Sequence, residues 1–171
     1  MISKEFNQTT IAKEVSLNGV GLHTGKDVTL TFKPAEANNG YAFKRVDLEG
    51  EPIIEADVNY VTNTQRGTCL EKNGVTIQTC EHVLAALVGL EIDNVYIELN
   101  ASEPPIMDGS SKFFVESLES AGIVDLDAKR EEYIVKEVIS YIDEDTGSEI
   151  TIIPAEEYQV TTMVDFGTKV L

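Results

Sequence analysis

The sequence predicts an α+β fold: a two-layer α/β sandwich followed by the first strands of a second, similar domain. Three observations point there. Short segments of alternating apolar and polar residues recur, as in Val28–Phe32 and Val95–Leu99. Two helix-like segments, Cys80–Val88 and Lys112–Ala121, stand among them. Past the polar stretch Asp125–Glu132 only strand-like pattern continues. Strands with two apolar helices pack most simply as a sheet with both helices on one face, whereas strands without helices need a partner layer.

In chain order, Gly19-Val-Gly-Leu-His-Thr-Gly25 carries three glycines and reads as a tight connection between strands. Val28, Leu30 and Phe32 then share a face of the first clear strand, which Lys33-Pro34 closes. Ile53–Tyr60 and Gly74–Gln78 are expected strands, the second after a Lys72-Asn-Gly74 turn of the hairpin-closing type. From Cys80 to Val88 the apolar residues are too dense for one stripe, so a mostly buried helix is expected, with Thr79 as its N-cap and Gly89 as its stop. Val95, Ile97 and Leu99 mark another strand, which leads into the turn-rich Ser102–Ser110. Phe114, Val115 and Leu118 give the second helix its core side, and Gly122 ends it.

The polar stretch reads as a linker, dividing a first domain of residues 1–126 from a second of 133–171, with 127–132 between them. Tyr133–Ile142, Ser148–Ile153 and Gln159–Phe166 read as three strands with no helix to cover them, so the chain is expected to break off within a second domain. An uncovered apolar sheet is also a surface for pairing with a second copy of the truncated chain.

A net charge of −17, with 13 Lys and Arg scattered singly or in pairs, argues against nucleic acid. No apolar run reaches the roughly 18 residues of a membrane span, and Met1–Thr10 lacks a signal-like pattern, so a soluble cytoplasmic protein is expected. Cys69 and Cys80 lack CxxC spacing and fit reduced thiols.

Glu81 and His82 stand side by side in the first turn of the first helix. The positive end of the helix dipole favours an ionised Glu81 and a neutral His82, the states wanted of a general base and a metal ligand. Spacing alone favours the opposite reading, since a lone histidine on a helix is more often a capped or hydrogen-bonded structural residue. A catalytic zinc usually takes three protein ligands, and beyond His82 only His23 offers another imidazole.

Three further segments tilt the balance. Thr79-Cys-Glu-His-Val-Leu-Ala-Ala-Leu87, Gly89-Leu-Glu-Ile-Asp-Asn94 and Glu103-Pro-Pro-Ile-Met-Asp-Gly-Ser-Ser111, with the Gly19–Gly25 motif ahead of them, resemble the UDP-3-O-acyl-N-acetylglucosamine deacetylases of lipid A biosynthesis. The resemblance covers residues 10–166. It implies domains of the ribosomal protein S5 domain 2-like kind and a zinc-dependent hydrolase that removes the N-acetyl group from an acylated UDP-sugar on the way to Gram-negative lipopolysaccharide.

In its terms Glu81 is the base that activates water and His82 is one zinc ligand. The other ligands, a histidine and an aspartate, lie beyond Leu171, as do the acid histidine, the oxyanion-stabilising threonine and the acyl-chain passage, so these 171 residues are expected to be weakly active or inactive alone. Phe166 matches a uracil-stacking phenylalanine, while Ser148 stands where several members place a lysine for the diphosphate. His23 has no ligand role to carry over and reads as structural or supporting. Asp108 is placed near the cleft, and Thr64 opens a loop, Thr64–Gly67, beside it.

Two other classes compete. One is a binding module pairing through its open sheet. The other is a sugar kinase, which would need a glycine-rich loop leading into a helix; Gly19–Gly25 leads into a strand instead.

Overall fold

The computed structural model describes residues 6–164, a mixed α/β chain of mostly strands and two helices that divides into two compact units meeting at Arg130 and Glu131. In the first unit, β1 (Asn7–Ile11), β2 (Val15–Val20), β3 (Asp27–Pro34), β4 (Tyr41–Arg45) and β5 (Ile53–Glu55) precede a single 3₁₀ turn at Val58–Tyr60. Then come β6 (Val61–Asn63), β7 (Cys69–Lys72), β8 (Val75–Ile77), α1 (Glu81–Gly89), β9 (Val95–Leu99), α2 (Lys112–Ala121) and β10 (Ile123–Lys129).

A five-stranded sheet in the order β2-β3-β9-β4-β5 forms the backbone of this unit, antiparallel except where β4 runs alongside β9. Its register aligns Val15, Phe32, Ile97, Phe43 and Ile54 in one row across all five strands. Four of these five side chains have no exposed surface, and they share one core with Val83, Ala86 and Leu87 of α1 and with Phe114, Leu118 and Ala121 of α2. Phe114 meets Phe32 edge-to-face, ring centroids 6.5 Å apart, a favoured aromatic geometry. The other sheet face is polar: Glu98 of β9 pairs with Lys33 at 2.7 Å and Lys44 at 3.7 Å. This one-sided pattern is what the alternation in β3 and β9 requires.

A small sheet β6-β7-β8 leads into α1. Asn73 (φ 53°) and Gly74 (φ 77°) close the two-residue turn between β7 and β8, as the Asn-Gly pair predicts.

Several expectations are corrected. The first strand of the fold is Asn7–Ile11, which pairs with β10; its polar sequence hides it from a hydrophobic pattern. β10 runs through Lys129, so most of the stretch read as linker is strand. Ile53–Tyr60 is a strand only to Glu55, because the Asp57 carboxylate caps the following 3₁₀ turn by accepting from Asn59 N–H. Helix α1 buries Val83, Ala86 and Leu87 on one side, at helical i, i+3, i+4 spacing, and leaves Ala85 and Val88 exposed.

Among its described residues the second unit holds one hairpin, β11 (Ile139–Ile142) with β12 (Glu149–Ile152), all eight residues exposed. Residues 159–164 form no strand, and the rest of the third expected strand, Phe166 included, lies outside the described residues. Among the described residues no helix is long and apolar enough to cross a membrane.

Candidate functional site

Glu81 and His82 open α1, both half-buried. Glu81 Oε2 accepts from the Thr68 backbone N–H at 2.9 Å, which aims the carboxylate back toward the end of the Thr64–Gly67 loop. Gly67 completes that approach: a Cβ there would lie 3.4 Å from Glu81 Oε1 and from Thr79 Oγ1. The His82 imidazole makes no hydrogen bond among the described residues, while its backbone carbonyl accepts from Ser111 Oγ at 2.8 Å, tying the start of α2 to the first turn of α1.

Thr79 does not cap α1. Cys80 occupies the cap position without a side-chain hydrogen bond, and Thr79 just before it has φ 53°, a left-handed conformation that a β-branched residue adopts at a cost of about 1–3 kcal/mol. Its hydroxyl donates elsewhere, to Glu103 Oε1 at 2.9 Å. Cys80 itself is buried, its thiol 3.4 Å from the Thr68 carbonyl and pushed up to about 12, chiefly by burial.

Glu103 is the group the sequence reading missed. It has no exposed surface. Its carboxylate accepts from the backbone N–H groups of His23 (3.0 Å) and Thr24 (2.9 Å), from Thr24 Oγ1 (3.0 Å), from His23 Nδ1 (2.9 Å) and from Thr79 Oγ1. Burial alone would raise its pKa. The donors from Thr24, His23 and Thr79 outweigh that and hold it down to about 2, so it is anionic at neutral pH. A carboxylate can only accept, so His23 donates from Nδ1, and its side chain is 40% exposed. The Gly19–Gly25 motif is the tip of the β2–β3 hairpin. Gly21 is obligatory there, because a Cβ would fall 2.7 Å from Glu103 Oε2 and 2.3 Å from Thr24 Oγ1.

The remaining described candidates form no hydrogen bond with Glu81, His82, His23 or Glu103. Asp108 is occupied with its own turn: Oδ1 accepts from Ser110 Oγ (2.7 Å) and Ser110 N–H (3.0 Å), which lowers its pKa. Thr64 is exposed at the far end of its loop and makes no hydrogen bond among the described residues. Ser148 lies beside the β11–β12 turn, its carbonyl accepting from Asp143 N–H. Among the described residues no three His, Cys, Asp or Glu side chains converge as a metal cluster. What this turn offers a zinc ion is the half-buried imidazole of His82, a donor of the right chemistry but one of the several needed.

The profile of the family described as LpxC, UDP-3-O-acyl N-acetylglycosamine deacetylase, matches residues 8–171. A bifunctional enzyme LpxC/FabZ of Bacteroides thetaiotaomicron is 44% identical over 97% of this chain and 36% of its own length. The UDP-3-O-acyl-N-acetylglucosamine deacetylases of Hahella chejuensis and Myxococcus xanthus are 43% and 39% identical, over 97% and 100% of this chain, and each is covered over 54% of its length. The chain thus spans from about a third to about a half of the curated relatives it matches. The matched residues 8–171 include the Gly-rich hairpin, the Glu81–His82 turn and the Glu103 segment, and the chain belongs to the UDP-3-O-acyl-N-acetylglucosamine deacetylase family.

Proposed function

We propose that this chain is the N-terminal part of a zinc-dependent hydrolase that removes the N-acetyl group from an acylated UDP-N-acetylglucosamine in lipid A biosynthesis, working in the cytoplasm. The observation that carries the reading is the Glu81–His82 pair at the opening of α1, with the Glu81 carboxylate held by Thr68 N–H, in a chain of the deacetylase family. In this reading residues 1–126 are an S5 domain 2-like sandwich and residues 133–171 open a second, similar domain.

Glu81 takes a proton from the attacking water, and the Thr68 hydrogen bond fixes the direction from which it does so. Its half-buried setting limits competition from bulk solvent. His82 offers an imidazole nitrogen to zinc, and Ser111 braces the backbone that carries it. Zinc, when bound, polarises the acetamide carbonyl and eases deprotonation of water. The further ligands and the acid that protonates the departing amine come from elsewhere in the full-length protein, so residues 1–171 alone are expected to lack activity. Phe166 is the proposed uracil contact; His23, Asp108 and Thr64 border the cleft.

The test is a pair of variants in the full-length protein. Glu81→Gln keeps bound zinc and lowers turnover by about 10²–10⁴, as loss of a general base does; His82→Ala loses zinc. Near-normal turnover in the first, or full zinc stoichiometry in the second, defeats the assignment. A second reading, an interaction module that pairs with another copy of the chain, draws on the eight exposed residues of β11 and β12. It leaves the arrangement around Glu81 without a purpose, and a monomer in sedimentation at tens of micromolar would dispose of it.

A further inference from the structure

Helix α1 begins without a side-chain cap, so beyond the Leu84 N–H to Cys80 carbonyl bond at 3.1 Å no group of the helix itself secures its first turn. What fixes it lies outside. Thr79, two residues before Glu81, holds a left-handed conformation, and a strained backbone persists only where its surroundings over-determine it. One restraint is a carboxylate: Glu103 takes the Thr79 hydroxyl, which also lies 3.3 Å from His23 Nδ1, at 2.9 Å while binding four donors from the tip of the β2–β3 hairpin, some 80 residues away in sequence. From the other side, Thr68 clasps the same turn, its N–H donating to Glu81 and its carbonyl accepting from Cys80 N–H at 3.4 Å.

We infer that Glu103 is a positioning residue: acting through the Thr79 hydroxyl, it holds the turn that enters α1, so that Glu81 and His82 leave that turn in one fixed direction. The inference rests on the functional reading above. A Glu103 serving only the stability of the hairpin would need no bond to Thr79 and would leave turnover per folded, metal-loaded molecule unchanged. A positioning Glu103 controls the aim of the base, and errors of about 1 Å in that aim cost about 100-fold in rate.

The experiment uses the full-length protein with Glu103→Gln, Thr79→Val, which keeps the shape and removes the hydroxyl, and Thr79→Ser, which restores it. Per metal-loaded molecule, kcat is expected to fall about 10- to 100-fold in E103Q and T79V with KM within about threefold, and to stay within about twofold of wild type in T79S. If E103Q fails to fold, the two Thr79 variants decide. Wild-type kcat in T79V, or a T79S as slow as T79V, overturns the inference. Should the unaltered protein show no deacetylation, the functional reading fails instead. Positioning is then read from amide exchange at Thr68 N–H: exchange about tenfold faster in T79V but not in T79S supports it, and equal rates overturn it.

Discussion

Replacing Glu103 with Gln tests whether a buried charge is held at this site, and the size of the effect follows from its titration. The carboxyl has an ordinary value of 4.5 and is held down to about 2 in the folded protein. A folded value below the unfolded one means that the contribution is complete above 4.5 and is lost as pH falls through about 2. The gap corresponds to about 3 kcal/mol at pH 7, declining to about 1 kcal/mol at pH 3. Gln has the same shape but is uncharged and replaces one acceptor oxygen with an amide NH₂, which cannot accept from the backbone N–H groups of His23 and Thr24. The titratable group facing Glu103 is His23. Urea unfolding followed by circular dichroism at 222 nm reports on this unit, because α1 and α2 both lie within it. Subtracting the variant's stability from the wild type's cancels the other carboxylates of an acidic chain. A stability difference that stays constant between pH 7 and pH 3 would show that Glu103 is not held as an anion, and the reasoning would fall.

Other outcomes follow from the same geometry. Gly21→Ala forces a methyl against the Glu103 carboxylate and Thr24 Oγ1, and is expected to cost about 1–3 kcal/mol in urea unfolding, whereas Gly25→Ala, where a Cβ meets nothing, costs only its φ of 61°. Asn94→Ala removes a side chain 1% exposed whose Oδ1 accepts from Gly40 N–H and whose Nδ2 donates to Gln8 Oε1. Leaving those partners unpaired is expected to cost at least about 2 kcal/mol, and a change under about 0.5 kcal/mol would mean that water replaces it freely.

How much of this was legible depends on whether a signal was local. β3, β9 and α2 are marked by their own residues: Val28, Leu30 and Phe32 alternate, and Phe114 and Leu118 repeat at helical spacing. β1 is not so marked. Its Gln8 and Thr10 are buried polar residues, satisfied by Asn94, Asn38 and Ala35, and a polar strand stabilised by side-chain hydrogen bonds has no hydrophobic period to read. The strand at Ile123–Lys129 is hidden for the same reason, since β10 is given its place by β1.

The site divides along the same line. Glu81 and His82 could be found because a helix start confers its electrostatics on whatever stands there. Glu103 could not, because a glutamate before two prolines reads as an exposed turn, and its burial is imposed by donors some 80 residues upstream. One signal was available in principle: a glycine such as Gly21, in a hairpin tip rich in donors, implies something pressed close against the backbone, and an acceptor is what such a tip would need. Thr79 was misread for a related reason. A threonine ahead of a helix is an N-cap only while its hydroxyl is free to turn back onto the helix. Here a buried anion competes for that hydroxyl and wins, because a charge-assisted hydrogen bond in a dry setting is stronger than a neutral cap. The missed residue and the misread one are therefore the two ends of a single hydrogen bond, which joins the bonds from Thr68 and Ser111 in tying the entrance of α1 to the rest of the fold.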